Sequence, residues 1–90
     1  MIVRRSDGSW SIDATTDLDE VKLILGIDVL QGQKNSYQTI GGYVVENLGH
    51  QPKIGDAFSA GSLRFEVIDT DGRRIDRVLV TVAVGEPPLP

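Results

Sequence analysis

Two Asp-Gly pairs, Asp7-Gly8 and Asp71-Gly72, each lie between stretches in which apolar and polar residues alternate. Asp-Gly in that setting is a strong hairpin signal, because a two-residue type I′ turn needs positive φ at both central residues. The chain therefore reads as two hairpins, residues 2–5 with 10–13 and residues 63–69 with 73–83. With two-residue loops, Arg5 faces Trp10 and Val3 faces Ile12, so Val3, Trp10 and Ile12 share the side that turns to the core. In the second hairpin Leu63 faces Val80, Phe65 faces Val78, Glu66 faces Arg77 and Ile68 faces Ile75. Asp76 then falls beside Val67 on the apolar side, where it needs a partner or a place at the sheet margin.

Between the hairpins, apolar residues change to helical spacing. Thr16 stands as N-cap with Asp19 at N3, and Leu18, Val21, Ile24 and Leu25 form a stripe that Gly26 ends in a left-handed C-terminal position. Residues 17–25 are too few for an isolated helix, which needs ~12–15, so this one must dock to persist. Residues 31–36 are a polar loop. Thr39 then caps a second helix with Ile40, Tyr43, Val44 and Leu48 on one face, stopped by Gly49. A short strand near Ala57, Phe58 and Ser59 precedes the second hairpin. The fold class is α+β, one domain over residues 1–84 with the helices packed on the sheet, and a Pro-rich tail over 85–90.

Ninety residues allow one core, and hydrophobic residues make up 40% of them. Almost every apolar side chain is needed for packing, which leaves little for an interior ligand cavity. The absence of cysteine excludes disulfides, thiolate catalysis and thiolate metal sites. No apolar run is long enough to span a bilayer. Nine basic against thirteen acidic residues give a net charge of −4, the wrong sign for a phosphate backbone, so nucleic acid is not an expected partner. The acids concentrate early: over residues 7–28, Asp7, Asp13, Asp17, Asp19, Glu20 and Asp28 stand against Lys22 alone, so the first third presents a negative face.

Several blocks occur in an order that resembles the transporter-associated domain of the CorC/HlyC family. They are residues 7–10 (Asp-Gly-Ser-Trp) before a short acidic helix, residues 37–44 around Thr39, Gly41 and Gly42, residues 49–56 around His50 and Pro52, residues 65–67, and residues 71–78 with Asp71, Gly72, Arg73 and Arg74. The likeness covers about residues 5–82. It implies a noncatalytic cytosolic regulatory or docking domain, found after a transmembrane domain and paired CBS domains in magnesium and cobalt efflux proteins, some of them labelled hemolysins. The chain is accordingly expected to be a piece of a larger membrane protein, on the cytoplasmic side of the cell membrane. Its partners would be the CBS and transmembrane domains of that parent, or a second copy through self-association. The family fold is similar to part of certain FAD-binding oxidoreductases, and this likeness implies FAD or an adenine nucleotide as the alternative function. Fold likeness alone is associational.

The residues offer few sites of their own. Gly41 and Gly42 inside a helix cost about 1 kcal/mol each relative to alanine, so a geometric gain must offset them. Either Thr39, Gly41 and Gly42 cradle a phosphate with bare helix-start amides, or another element crosses closely there. Asp17, Asp19 and Glu20 share one helical turn and could hold a divalent cation through waters, or could simply complement the helix dipole. His50, the sole histidine, has no matching nucleophile, and no Gly-x-Ser-x-Gly elbow occurs, so no catalytic residue is assigned. Arg73, Arg74 and Arg77 suit a phosphate or an acidic partner surface, or a solvated strand face with cross-strand pairs. Trp10 and Tyr37 are large anchors for either the core or a docking surface.

Overall fold

The computed structural model describes residues 2–82; the tail at 85–90 lies outside the described residues. The elements in chain order are β1 (Ile2–Arg4), β2 (Trp10–Asp13), α1 (Leu18–Leu25), α2 (Ile40–Leu48), β3 (Ala57–Ala60), β4 (Leu63–Asp71) and β5 (Arg74–Val82). The strands form one antiparallel sheet in the order β1-β2-β5-β4-β3. Both helices pack on one face of it, and the core lies between, around Ile12, Leu18, Val21, Tyr43, Phe65 and Val78.

Both hairpins form, but with other registers than a two-residue Asp-Gly loop dictates. In the first, Arg5 N–H donates to Ser9 O (2.8 Å) and Gly8 N–H to Arg5 O (3.0 Å), which closes a three-residue loop with Gly8 at φ 89°. Asp7 stabilises it by accepting from the Ser9 amide (2.9 Å) and hydroxyl (2.6 Å), and these bonds hold its carboxyl below the usual carboxylate range. Ile2 therefore faces Ile12, and Val3 faces Ser11. One extra loop residue exchanges the two faces of β1: Ile2 packs against the core and Val3 is 43% exposed. Trp10, opposite Arg4, is half-buried, with the Arg4 guanidinium 4.7 Å from its ring centroid.

In the second hairpin the closing pair is Asp71 with Arg74, so Gly72 and Arg73 form the loop. Gly72 takes φ 66°, and among the described residues no non-glycine residue has positive φ. That is the requirement of a II′ turn, with glycine at the first central position, and it spares Asp71 a left-handed backbone. Leu63 thus faces Val82, Phe65 faces Val80 and Val67 faces Val78, two residues from the expected register. An even displacement keeps every side chain on its face, so the apolar side survives the change. Glu66 lies opposite Leu79 rather than Arg77, and its carboxylate accepts from Arg64 instead (2.9 Å). Irregularities around Asp69 leave Asp76 exposed, away from Val67, and its carbonyl accepts from Ala14 N–H (3.0 Å).

The N-cap of α1 is Asp17, whose Oδ1 accepts from Asp19 N–H (2.8 Å); Thr16 is buried one residue earlier, and its carbonyl accepts from Ile40 N–H (3.0 Å). Leu18 and Val21 are buried and Leu25 packs against the core, whereas Ile24 is exposed. Gly26 ends α1 at φ 72°, as its place in the sequence implies. Thr39 caps α2 by accepting from Gly42 N–H (3.2 Å), and Ile40, Tyr43 and Val44 are buried. Leu30, in a stretch without periodic signal, is fully buried as well.

The paired glycines answer to a crossing. Gly41 N–H donates to Ala14 O (2.9 Å), and a Cβ on Gly41 would sit 3.0 Å from both that oxygen and Ala14 Cβ. A Cβ on Gly42 would lie 2.7 Å from Tyr37 Cβ. Helix propensity alone favours Gly42→Ala by about 1 kcal/mol. The contact reverses that sign, and chemical denaturation should show a loss of about 1–3 kcal/mol.

Tyr43 tests the same packing. Its hydroxyl donates to Gln31 O (2.7 Å) and its ring meets Phe65 at 5.2 Å. Burial pushes the phenol up to about 12. The native state holds this proton more tightly than the unfolded chain, so the contribution to stability is complete below pH ~10 and is lost as pH rises through 12. Tyr43→Phe should cost ~1 kcal/mol at neutral pH. Urea titrations across pH 10–12 should show a shallower alkaline decline for this variant than for the parent chain.

Candidate functional site

The start of α2 does not present bare amides. Ile40 N–H donates to Thr16 O, Gly41 to Ala14 O, Gly42 to Thr39 Oγ1 and Tyr43 to Thr39 O (3.1 Å). A phosphate bound by Thr39, Gly41 and Gly42 would have to displace acceptors that hold two chain segments together. Gly41 and Gly42 instead form the floor of an open groove of about 500 Å³ between α2 and the turn of the β4–β5 hairpin.

Tyr37, Val45 and Glu46 line one side of this groove, and Arg73, Arg74 and Ile75 the other. The Tyr37 ring is held by its hydroxyl, which donates to Gly32 O (3.1 Å) and accepts from Lys34 N–H (2.8 Å). Val45 is 40% exposed, an apolar residue that the α2 stripe leaves off the core. The Glu46 carboxylate is 3.4 Å from Lys34 Nζ, so a cation already accompanies it. The Arg73 and Arg74 side chains have no hydrogen bond or ion pair with any described residue. Arg77 lies elsewhere and donates to Ser11 Oγ (3.1 Å). The structure thus separates three arginines that sequence proximity groups together. Two are left without counterions beside an apolar floor, on a chain whose net charge is −4.

A second depression of about 500 Å³ continues from the groove past Val45 and Arg73 to His50 and Pro52. His50 Nε2 sits 3.0 Å from Asp56 Oδ2, which also accepts from Lys53 N–H (2.9 Å). The hydrogen bond with His50 and that from Lys53 hold the Asp56 carboxyl below its ordinary range. The imidazole serves the connector before β3, and no hydroxyl of a described residue is hydrogen-bonded to it.

Asp17, Asp19 and Glu20 have separate surroundings. Asp17 caps α1 and Asp19 lies 3.6 Å from Lys22 Nζ. Among the described residues, no group of three His, Cys, Asp or Glu side chains is placed to hold a metal ion. The groove was not readable from the sequence as a whole. Arg73, Arg74, Tyr37, Gly41 and Gly42 stood out singly; Val45 did not, although it is apolar and adjacent to rather than on the core stripe.

No helix among the described residues is long and apolar enough to cross a membrane. The family model of the transporter associated domain, CorC_HlyC, matches residues 3–83. UPF0053 protein sll0260 of Synechocystis sp. is 46% identical over 80 residues, covering 88% of this chain and 18% of its own length. The polyamine export protein of Escherichia coli K12 is 42% identical over 80 residues, covering 89% and 18%. The chain spans less than a fifth of the length of these relatives. The transporter associated domain of a Xylella fastidiosa Temecula1 hemolysin has a TM-score of 0.79 at 34% identity, covering 92% of this chain and 95% of that one. A structure of that domain in complex with Mg++ and Mn++ has a TM-score of 0.77 at 34% identity, covering 90% and 95%. Apart from Ile2, the sheet, both helices and the groove all fall within the matched span, and the chain belongs to the CorC_HlyC transporter-associated domain family.

Proposed function

We propose that this domain is a noncatalytic regulatory or docking module on the cytoplasmic face of a larger ion-transporting membrane protein, and that it docks through the groove between α2 and the β4–β5 turn. The carrying observation is the pair of uncompensated arginines, Arg73 and Arg74, beside the exposed Val45 and the half-buried ring of Tyr37. Arginine beside tyrosine is a composition that concentrates binding energy at protein interfaces. The relatives' greater length supports CBS and transmembrane domains of the parent as the docking partners. One relative is named a polyamine export protein, which agrees with a transport setting. Regulation then requires the groove to meet its partner differently in two transporter states, since only differential contact shifts an equilibrium.

FAD or an adenine nucleotide at Gly41 and Gly42 is the competing function, and the occupied amides of α2 speak against it. Melting curves of the domain with FAD, ATP and AMP should stay flat, whereas a saturable rise would favour the ligand-binding reading. For docking, the rest of the parent protein is supplied separately and its affinity for the domain is measured by calorimetry. Arg73→Glu with Arg74→Glu should weaken that affinity at least ~10-fold while leaving the domain folded. An unchanged affinity would remove the groove from the docking surface.

A further inference from the structure

The sheet has two edges, and they differ. At one, β1 carries Arg4 and is followed by Arg5, charges of the kind that discourage strand addition. At the other, β3 reads Ala57-Phe58-Ser59-Ala60, with no charge, no proline and no bulge in its pairing with β4. Ala60 and Leu63 close a two-residue turn, and Val67 N–H donates to Asp56 O (2.8 Å). Residues 56, 58 and 60 therefore direct their backbone groups to β4, while Ala57 and Ser59 direct theirs outward. Neither Ala57 nor Ser59 has an outward hydrogen-bond partner among the described residues.

We infer that β3 is a self-association edge, pairing antiparallel with β3 of a second copy about a two-fold axis at Phe58. This contact is separate from the docking groove and does not rest on it. In that register Ala57 faces Ser59 of the second copy and the reverse, and each such pair exchanges two N–H···O bonds through the groups left outward. Phe58 faces its own counterpart in a pair without hydrogen bonds, where side chains approach most closely. Phe58 is half-buried, stacked on Phe65 at 5.1 Å and tilted against Tyr43 at 5.8 Å. The second copy covers what remains of its ring and joins the two aromatic rows. Charge agrees with the same register. Arg64 and Glu66, paired at 2.9 Å, stand beside Ser59 and Ala57 respectively. The two-fold sets the Arg64 end of one copy toward the Glu66 end of the other, with only small side chains between them.

An edge this short buries less than a standard interface of ~1,600 Å², so the dimer is weak, with a Kd on the order of 0.1–1 mM. Sedimentation velocity of the chain from about 10 µM to 1 mM should show reversible dimerisation. Amide exchange at the upper concentration should slow at Ala57 and Ser59. Ser59→Pro removes one outward N–H without touching the β4 ladder, and should weaken association at least ~10-fold with the melting temperature of the dilute monomer unchanged. Ser59→Lys, which places a charge on the edge, should do the same and guards against local distortion by proline. A chain monomeric throughout, or a dimer that keeps its affinity in both variants, overturns the inference. So does association abolished by Arg73→Glu with Arg74→Glu, which would assign the contact to the groove. Protection of Ala57 and Ser59 only after adding the rest of the parent would give the edge to a partner strand and refute self-pairing.

Discussion

The crossing of residues 14–18 over the start of α2 organises the molecule. Ala14 N–H reaches the Asp76 carbonyl at the irregular end of β5, and Ala14 O receives Gly41 N–H. Thr16 O receives Ile40 N–H, and Leu18 N–H donates to Gln38 O (2.8 Å). One short connecting segment therefore ties the sheet to α2 and sets where α1 begins. These are backbone bonds at close range, so they require glycine where the helix meets Ala14. Side chains at this point would push α2 outward and open the core around Ile40 and Val44.

The same closeness shapes the surface. Because the first-turn amides of α2 are consumed by the crossing and by Thr39, the helix start offers structure and no anion cradle. Beside it, the II′ turn carries Arg73 and Arg74 to the rim of the groove, where Val45 and Tyr37 supply apolar area. Several carboxylates are engaged away from it: Asp7 in its turn, Asp17 at its cap, Asp56 against His50. Each of these carboxylates accepts from a local backbone amide, and Glu46, on the groove itself, has Lys34 Nζ at 3.4 Å.

Much of the fold was legible from residue pattern. Asp-Gly pairs located both hairpins, helical spacing located both helices, and Thr39, Gly26 and Gly49 marked ends that the structure keeps. The errors share one cause, since a turn signal places a hairpin without choosing its loop. At Gly8 the loop took a third residue and exchanged Ile2 for Val3 in the core; at Gly72 the loop moved by one residue and the register by two, and the core was unchanged. Glu66 and Arg77, opposite in charge and well matched on paper, were separated by that move. Thr16 yielded the cap to Asp17 because its own backbone is committed to α2.

Residue identity by itself determined the elements, the family resemblance and the lack of thiol chemistry, because turn preference, periodicity and composition act within a few positions of the chain. Register, the crossing at Ala14, the burial of Leu30 and the meeting of Tyr37 and Val45 with Arg73 and Arg74 were decided only in three dimensions. Apart from the hairpin registers, each depends on contact between segments far apart in the chain. Such contacts are selected by packing and by the requirement that buried backbone groups be paired, and neither condition leaves a mark on one stretch of sequence.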